Sequence, residues 1–173
     1  MSDALSRVMK AADSPLVIVT TAAEDEPAGC VVGFHCQSSI EPERYAVWLS
    51  KANHTYRVGL RAEFLAVHFL RDSDQELARH FGTQSEDDVD KFADIAWSPG
   101  PGGVPLIDGL PHRLTMRRSM ILDDGGDHVC VAGEVLDVDG GDGFVPLRLS
   151  AAADWEPGRE PEERAVDPRQ EPG

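Results

Sequence analysis

The chain has 173 residues, 41% of them hydrophobic, and a formal net charge of -15. That is the size of one domain with a core of its own and a tail. The acidity argues against nucleic acid as a partner, and no apolar run approaches the roughly 18–20 residues of a membrane span.

The N-terminal MSDALSRVMKAADSP lacks the cationic-then-apolar layout of a secretory leader and reads as a short helix, so a cytoplasmic protein is expected. PLVIVTT (15–21) is β-branched and apolar, a buried strand; EDEP (24–27) is a turn. AGCVVGFHCQSSI (28–40) reads as a second strand, with Gly29 and Gly33 suggesting bulges or close backbone approach, and RYAVWLS (44–50) as a third. Strands so closely spaced pair as antiparallel hairpins. Residues 53–62 suit a helix capped by Asn53 or Thr55, and 63–70 another strand. DSDQELARHFG (72–82) is the clearest helix: Ser73 and Glu76 form an S-x-x-E capping box, Leu77 and Phe81 share a face, and Gly82 is the stop. Residues 86–97 suit a second helix and 98–105 a loop. Two long strands, 109–122 and 127–138, flank the turn DDGG, and FVPLRLS (144–150) reads as a last strand. From Asp154 the chain is rich in Pro, Glu and Arg and too polar to offset the entropy of ordering; residues 151–173 are expected as a disordered tail whose start Trp155 tethers. About seven strands and a few short helices, antiparallel throughout, favour a closed barrel over a doubly wound sheet.

Cys30, Cys36 and Cys130 are odd in number and form no C-x-x-C pair, so buried free thiols are expected rather than a zinc site. Three other stretches carry chemistry. SKANHTY (50–56) places Ser50, Lys51, Asn53, His54 and Thr55 at a strand-to-helix turn, with Arg57 and Arg61 beyond; a phosphate monoester fits, and so does an ordinary capped helix with a solvated lysine. In GCVVGFHCQSSIEP (29–42), Gly33 permits a flat ligand to approach and Gln37, Ser38 and Ser39 offer polar groups, although a polar-rimmed strand with a bulge explains the local pattern more simply. In DDGGDHVCVAGEV (123–135), Asp127 is placed to cap the turn, and His128 is either turn chemistry or a donor and proton carrier near neutral pH.

Together these stretches resemble the flavin reductase-like family, the FMN-binding split barrels, over residues 8–150. The resemblance runs through SPLVIVTT, GFHCQSSIEPERYAVWLSKANHTY, ELARHFG, DKFA, PLIDG and GDHVCVAGEV in that order. It implies a mainly β, antiparallel Greek-key split barrel with a few short peripheral helices, filling residues 1–150 and assembled as a homodimer. It implies FMN, or FAD, bound along Val31, Val32, Gly33 and Phe34 with Gln37 and Ser39 beyond, its phosphate at Ser50, Lys51, Asn53, His54 and Thr55. His128 would lie close to both flavin and nicotinamide, as the catalytic side chain. NADH or NADPH would then reduce the flavin, which could pass to a separate monooxygenase. The other readings are an FMN-binding electron-transfer protein without nicotinamide activity, and a dimeric binding module that has lost flavin.

Overall fold

A computed structural model of the chain describes residues 2–84 and 89–156. In chain order the elements are α1 (Asp3–Ala12), β1 (Val17–Ala23), β2 (Glu26–Val32), β3 (His35–Ser39), β4 (Arg44–Ser50), α2 (His54–Gly59), β5 (Phe64–Phe69), α3 (Gln75–Thr83), β6 (Trp97–Pro99), β7 (Pro105–Ile107), β8 (Arg113–Leu122) and β9 (His128–Asp139). Among the described residues no helix is long and apolar enough to cross a membrane.

Seven strands form one sheet in the order β2-β1-β5-β8-β9-β4-β3, with every pairing antiparallel. The two edge strands, β2 and β3, are consecutive in the chain. Val32 still pairs with Val17 of β1, while the carbonyl of Phe34 already accepts the Trp48 N–H of β4. Gly33 alone separates the two ladders. In a flat sheet these edges would stand about 29 Å apart at the usual strand spacing, whereas two residues of extended chain reach about 7 Å. The sheet therefore has to curl until its edges meet. The expected single strand 28–40 is two strands for this reason: its halves belong to opposite edges. After β4, α2 carries the chain to β5 beside β1, a Greek-key return.

Curling makes the inner face a core. Val17, Val19, Cys30, Val32, Val47, Leu49, Leu65, Val67, Leu114, Met116 and Val131 meet there, contributed by six of the seven strands at period two. A second core lies on the outer face of β1. Leu16, Ile18 and Leu70 pack there under Ala78 and Phe81 of α3, with Phe92, Ile107, Leu110 and Leu147. Three polar pins hold this layer: Thr20 Oγ1 donates to the Pro105 carbonyl, Lys91 Nζ donates to the carbonyls of Gly29 and Phe81, and His68 joins Ile18 to Ile107.

Several local expectations change. The start of α3 is not a Ser73–Glu76 box: a 3-10 turn over Asp72–Asp74 precedes it, and Asp74 accepts the Arg71 backbone N–H and its guanidinium. Gly82 does not stop the helix, which runs to Thr83. It is there for clearance, because a Cβ would lie 3.2 Å from the Trp155 ring. Trp155 thus does tether the start of the tail, with Ala151 and Ala152 also packed on the second core; residues 157–173 lie outside the described residues. Of the expected helix 86–97, residues 86–88 lie outside the description and 89–96 form turns. The expected loop 98–105 holds parts of the β6–β7 hairpin. Residues 144–150 form no strand: Pro146 bridges Arg71 and Arg148 bridges Pro15, since a proline in mid-segment removes a ladder donor, and a 3-10 turn begins at Leu149. Helix α2 ends at Gly59, shorter than the expected 53–62. The three thiols are free, but only Cys30 and Cys130 are buried; Cys36 is exposed on β3.

His68 is fully buried. Its Nδ1 faces the Ile18 carbonyl at 3.2 Å and its Nε2 faces the Ile107 N–H at 3.1 Å, so the ring is neutral with its proton on Nδ1. Burial pushes its pKa down from 6.5 to about 4. A depressed histidine contributes stability that is present above pH 6.5 and lost as pH falls through 4. The expected loss is about 3 kcal/mol at 1.36 kcal/mol per pH unit. Urea midpoints between pH 7 and 4 read it, and His68→Gln should make that pH dependence shallower.

Candidate functional site

The curl brings two turns and the β2–β3 link to one end of the sheet. Ser50, the last residue of β4, is the direct cross-strand partner of His128, the first of β9. The next residue along, Lys51, donates its backbone N–H to the Asp127 carbonyl at 2.9 Å, and its Nζ lies 2.8 Å from Asp123 Oδ1. On the other side the Phe34 ring stands 5.0 Å from the His128 ring, tilted by 59°. The segment 123–128 thus meets Phe34 and Ser50–Lys51 through named contacts, although it lies more than seventy residues beyond either in sequence.

The link exposes little of what precedes it. Val32 points into the inner core, so only its backbone is open to a ligand. Val31 packs on the second core, against Gly82. Phe34 is the presented side chain, 56% exposed. At Gly33 an added Cβ would meet only Leu16 and Leu149, at 3.7 and 3.9 Å. That is ordinary contact, so the chain's own packing does not require glycine there. Gln37 and Ser39 are not brought to the histidine. They pair with Tyr45 and Arg44, five and six residues along β4 from Ser50, about 17–20 Å away at the strand rise. Gln37 instead donates to the Ser39 carbonyl.

The cations expected to receive an anion already have carboxylate partners. Lys51 holds Asp123; His54 Nε2 lies 2.7 Å from Glu26 Oε1; Arg61 bridges Glu24 and Glu26. The Arg57 guanidinium meets His54 Nδ1 at 3.1 Å, so both ring nitrogens of His54 are engaged. Thr55 is 1% exposed, and Asn53, at the N-cap position, makes no side-chain capping bond. With six residues, α2 also has only a short dipole to offer. Ser50 Oγ accepts the Ala52 N–H at 3.3 Å and keeps its own O–H to donate. The shared proton contacts act on the acids too: the Lys51 hydrogen bond holds Asp123 below the usual carboxylate range, and the Arg61 hydrogen bond does the same for Glu26.

The turn before β9 is built differently from expectation. Asp123 Oδ1 accepts the Gly125 N–H and Asp124 Oδ1 accepts the Gly126 N–H, so these two residues cap it. Asp127 is not the cap: its Oδ1 lies 2.7 Å from His128 Nδ1. Other histidines are spent inside the body. His35 meets the Tyr45 hydroxyl and the Pro15 carbonyl, with its pKa lowered by burial, and His68 is described above. His128 is 29% exposed, and its Nε2 makes no hydrogen bond among the described residues. Asp123 as the partner of Lys51 had no sequence signal, being 72 positions away. Asp127 as the partner of His128 had only adjacency.

Comparison with known proteins identifies the family and the fold. The family described as "Flavin reductase like domain" matches residues 9–149. The chain is 30% identical over 124 residues to the Mycobacterium tuberculosis protein named flavin-dependent monooxygenase, reductase subunit HsaB, covering 69% of this chain and 62% of that one. It therefore spans under two thirds of the length of that curated relative. It is 28% identical over 138 residues to the Agrobacterium fabrum FMN reductase (NADH) SmoA, covering 80% of this chain and 76% of the relative. Among solved structures, a flavin reductase domain protein from Arthrobacter sp. FB24 superposes with a TM-score of 0.74 at 21% identity, over 84% of this chain and 88% of the other. Flavin reductase HpaC, solved with NADP+, superposes with a TM-score of 0.73 at 22% identity, over 87% and 99%. These likenesses carry the fold, and the family match over most of the chain carries the rest: this chain belongs to the flavin reductase-like family.

Proposed function

We propose that the protein is an NAD(P)H-dependent flavin reductase that uses FMN and supplies reduced flavin to a monooxygenase. The observation that carries this is the meeting of Gly33–Phe34, Ser50–Lys51 and His128 at one end of the curled sheet. The residues fit a phosphorylated flavin. Gly33 leaves space where a Cβ would stand, Phe34 presents an exposed aromatic face, and Ser50 and Lys51 supply a hydroxyl and a cation for a phosphate. Relatives named as FMN and FAD reductases using NADH, and as reductase subunits of a monooxygenase, support the same activity and partner.

When bound, the flavin supplies the ring that accepts hydride. The chain's own part is orientation. Phe34 offers a flat apolar surface beside His128, and the open Nε2 of His128 is the polar atom next to it. Lys51 has to exchange Asp123 for the phosphate. In a chain of charge -15 that competing carboxylate is what keeps a long-range anion from binding without the right shape.

We also infer a homodimer. Helix α1 has no buried residue, yet Leu5, Val8 and Met9 make an apolar stripe on it. A ten-residue helix is marginal in water by itself. Met120, Leu122, Leu136 and Val138 on the β8–β9 hairpin are exposed as well. A second copy covering these surfaces accounts for both.

Three outcomes are expected. Purified protein should oxidise NADH or NADPH at a rate that rises with added FMN; a yellow protein with no such rate would instead mark an electron-transfer flavoprotein. Lys51→Ala should weaken FMN roughly tenfold or more and leave riboflavin nearly unchanged, while Asp123→Asn, which keeps the turn acceptor but removes the competing charge, should tighten FMN alone. Fluorescence quenching titrations read both, and equal effects on the two flavins would remove the phosphate assignment. Sedimentation should give a dimer that a Leu5→Glu, Val8→Glu double variant converts to monomer.

A further inference from the structure

We infer that Asp127 is a positioning residue that holds His128 with its proton on Nδ1, so that Nε2 acts as the acceptor for the carboxamide N–H of a reduced nicotinamide. This rests on the flavin reductase reading of the site. Asp127 Oδ1 and His128 Nδ1 are 2.7 Å apart. An ionised carboxylate only accepts, so the shared proton belongs to the imidazole. In the neutral ring the other nitrogen is then a lone-pair acceptor.

Backbone contacts and one ring contact fix the pair, although the Asp127 side chain is itself exposed. The backbone of Asp127 is pinned by the Lys51 N–H to its carbonyl. Asp123 and Asp124 cap the turn by accepting the Gly125 and Gly126 N–H groups, and the Asp127 carboxylate takes the His128 contact instead. The backbone of His128 is in the ladder opposite Ser50, and the Phe34 ring at 5.0 Å limits rotation of the imidazole. The hydrogen bond from His128 keeps the Asp127 carboxyl below its ordinary range and therefore ionised. What is left open is Nε2. A free acceptor there complements an amide N–H and repels a carboxylate. Without Asp127 the proton would be free to move to Nε2, and the preference would reverse.

The test uses the full chain with 15N-labelled histidine, at about pH 8.5, above the ordinary histidine range. Long-range proton–nitrogen spectra should show His128 in the Nδ1–H form. Asp127→Ala should move it to Nε2–H. Asp127→Asn, whose amide oxygen still accepts, should keep Nδ1–H. In turnover, the ratio of kcat/KM for NADH over its deamido analogue, which carries a carboxylate in place of the carboxamide, should fall about tenfold or more in Asp127→Ala and recover in Asp127→Asn. An Nε2–H form in the parent protein, an unmoved tautomer in Asp127→Ala, or an unchanged ratio each overturns the inference. The nitrogen spectrum needs no turnover. A parent protein without flavin-dependent nicotinamide oxidation would refute the reductase reading, while the spectrum still decides the role of Asp127.

Discussion

The structure depends on one short connection. Gly33 is the single residue between a ladder to β1 and a ladder to β4, and those ladders are the two ends of a seven-stranded sheet. A flat sheet cannot satisfy that link, so curvature is imposed by covalent reach before any side chain is considered. The inner core follows, since curling turns one face of each strand toward a common centre. Twist and bulges accommodate the curve. Gly133 sits at one of them, where a Cβ would lie 2.5 Å from the Arg117 carbonyl oxygen as β8 and β9 slip register.

The same link builds the site. By ending one ladder and starting another, it leaves Phe34 outside the sheet with its ring on His128. The β4–β9 pairing places the Ser50–Lys51 turn beside the same histidine, through Ser50. Scaffold and site are therefore not separable here: a change that straightened the sheet would separate Phe34 from His128 without touching either.

Electrostatics set the character of the site. With 31 acidic and 16 basic side chains, cations are scarce, and those near the site are shared with carboxylates. Exposed pairs of this kind contribute little to stability. Their consequence is for binding, because any anion has to displace an acid to reach Lys51. Asp123 serves both sides of that exchange, holding Lys51 and the Gly125 N–H with one oxygen. Occupancy of the lysine is thereby connected to the turn that carries His128.

Much of this was legible in the sequence, where a local rule applied. Apolar runs marked β1, β4, β5, β8 and β9, the DDGG turn was placed correctly between the long strands, and the order of motifs pointed to the family. Local rules failed where a distant contact decided. Gly82 looks like a helix stop and is instead clearance for Trp155; Asp127 looks like a turn cap and is instead bonded to His128. Residues 28–40 look like one strand because their apolar pattern is continuous, and nothing within them records that their partners β1 and β4 lie next to opposite edges of the sheet. The sequence by itself determined most of the strand segments, which side chains are available as donors, and that the chain is too acidic to attract anions without a local site. Only the tertiary structure decided which donors are already paired, that Gln37 and Ser39 on β3 pair with β4 far from Ser50 and His128, and that the Asp127 carboxylate is bonded to the imidazole rather than to the turn. Pairing is a property of distance in space, and the partners here are up to 72 positions apart in the chain.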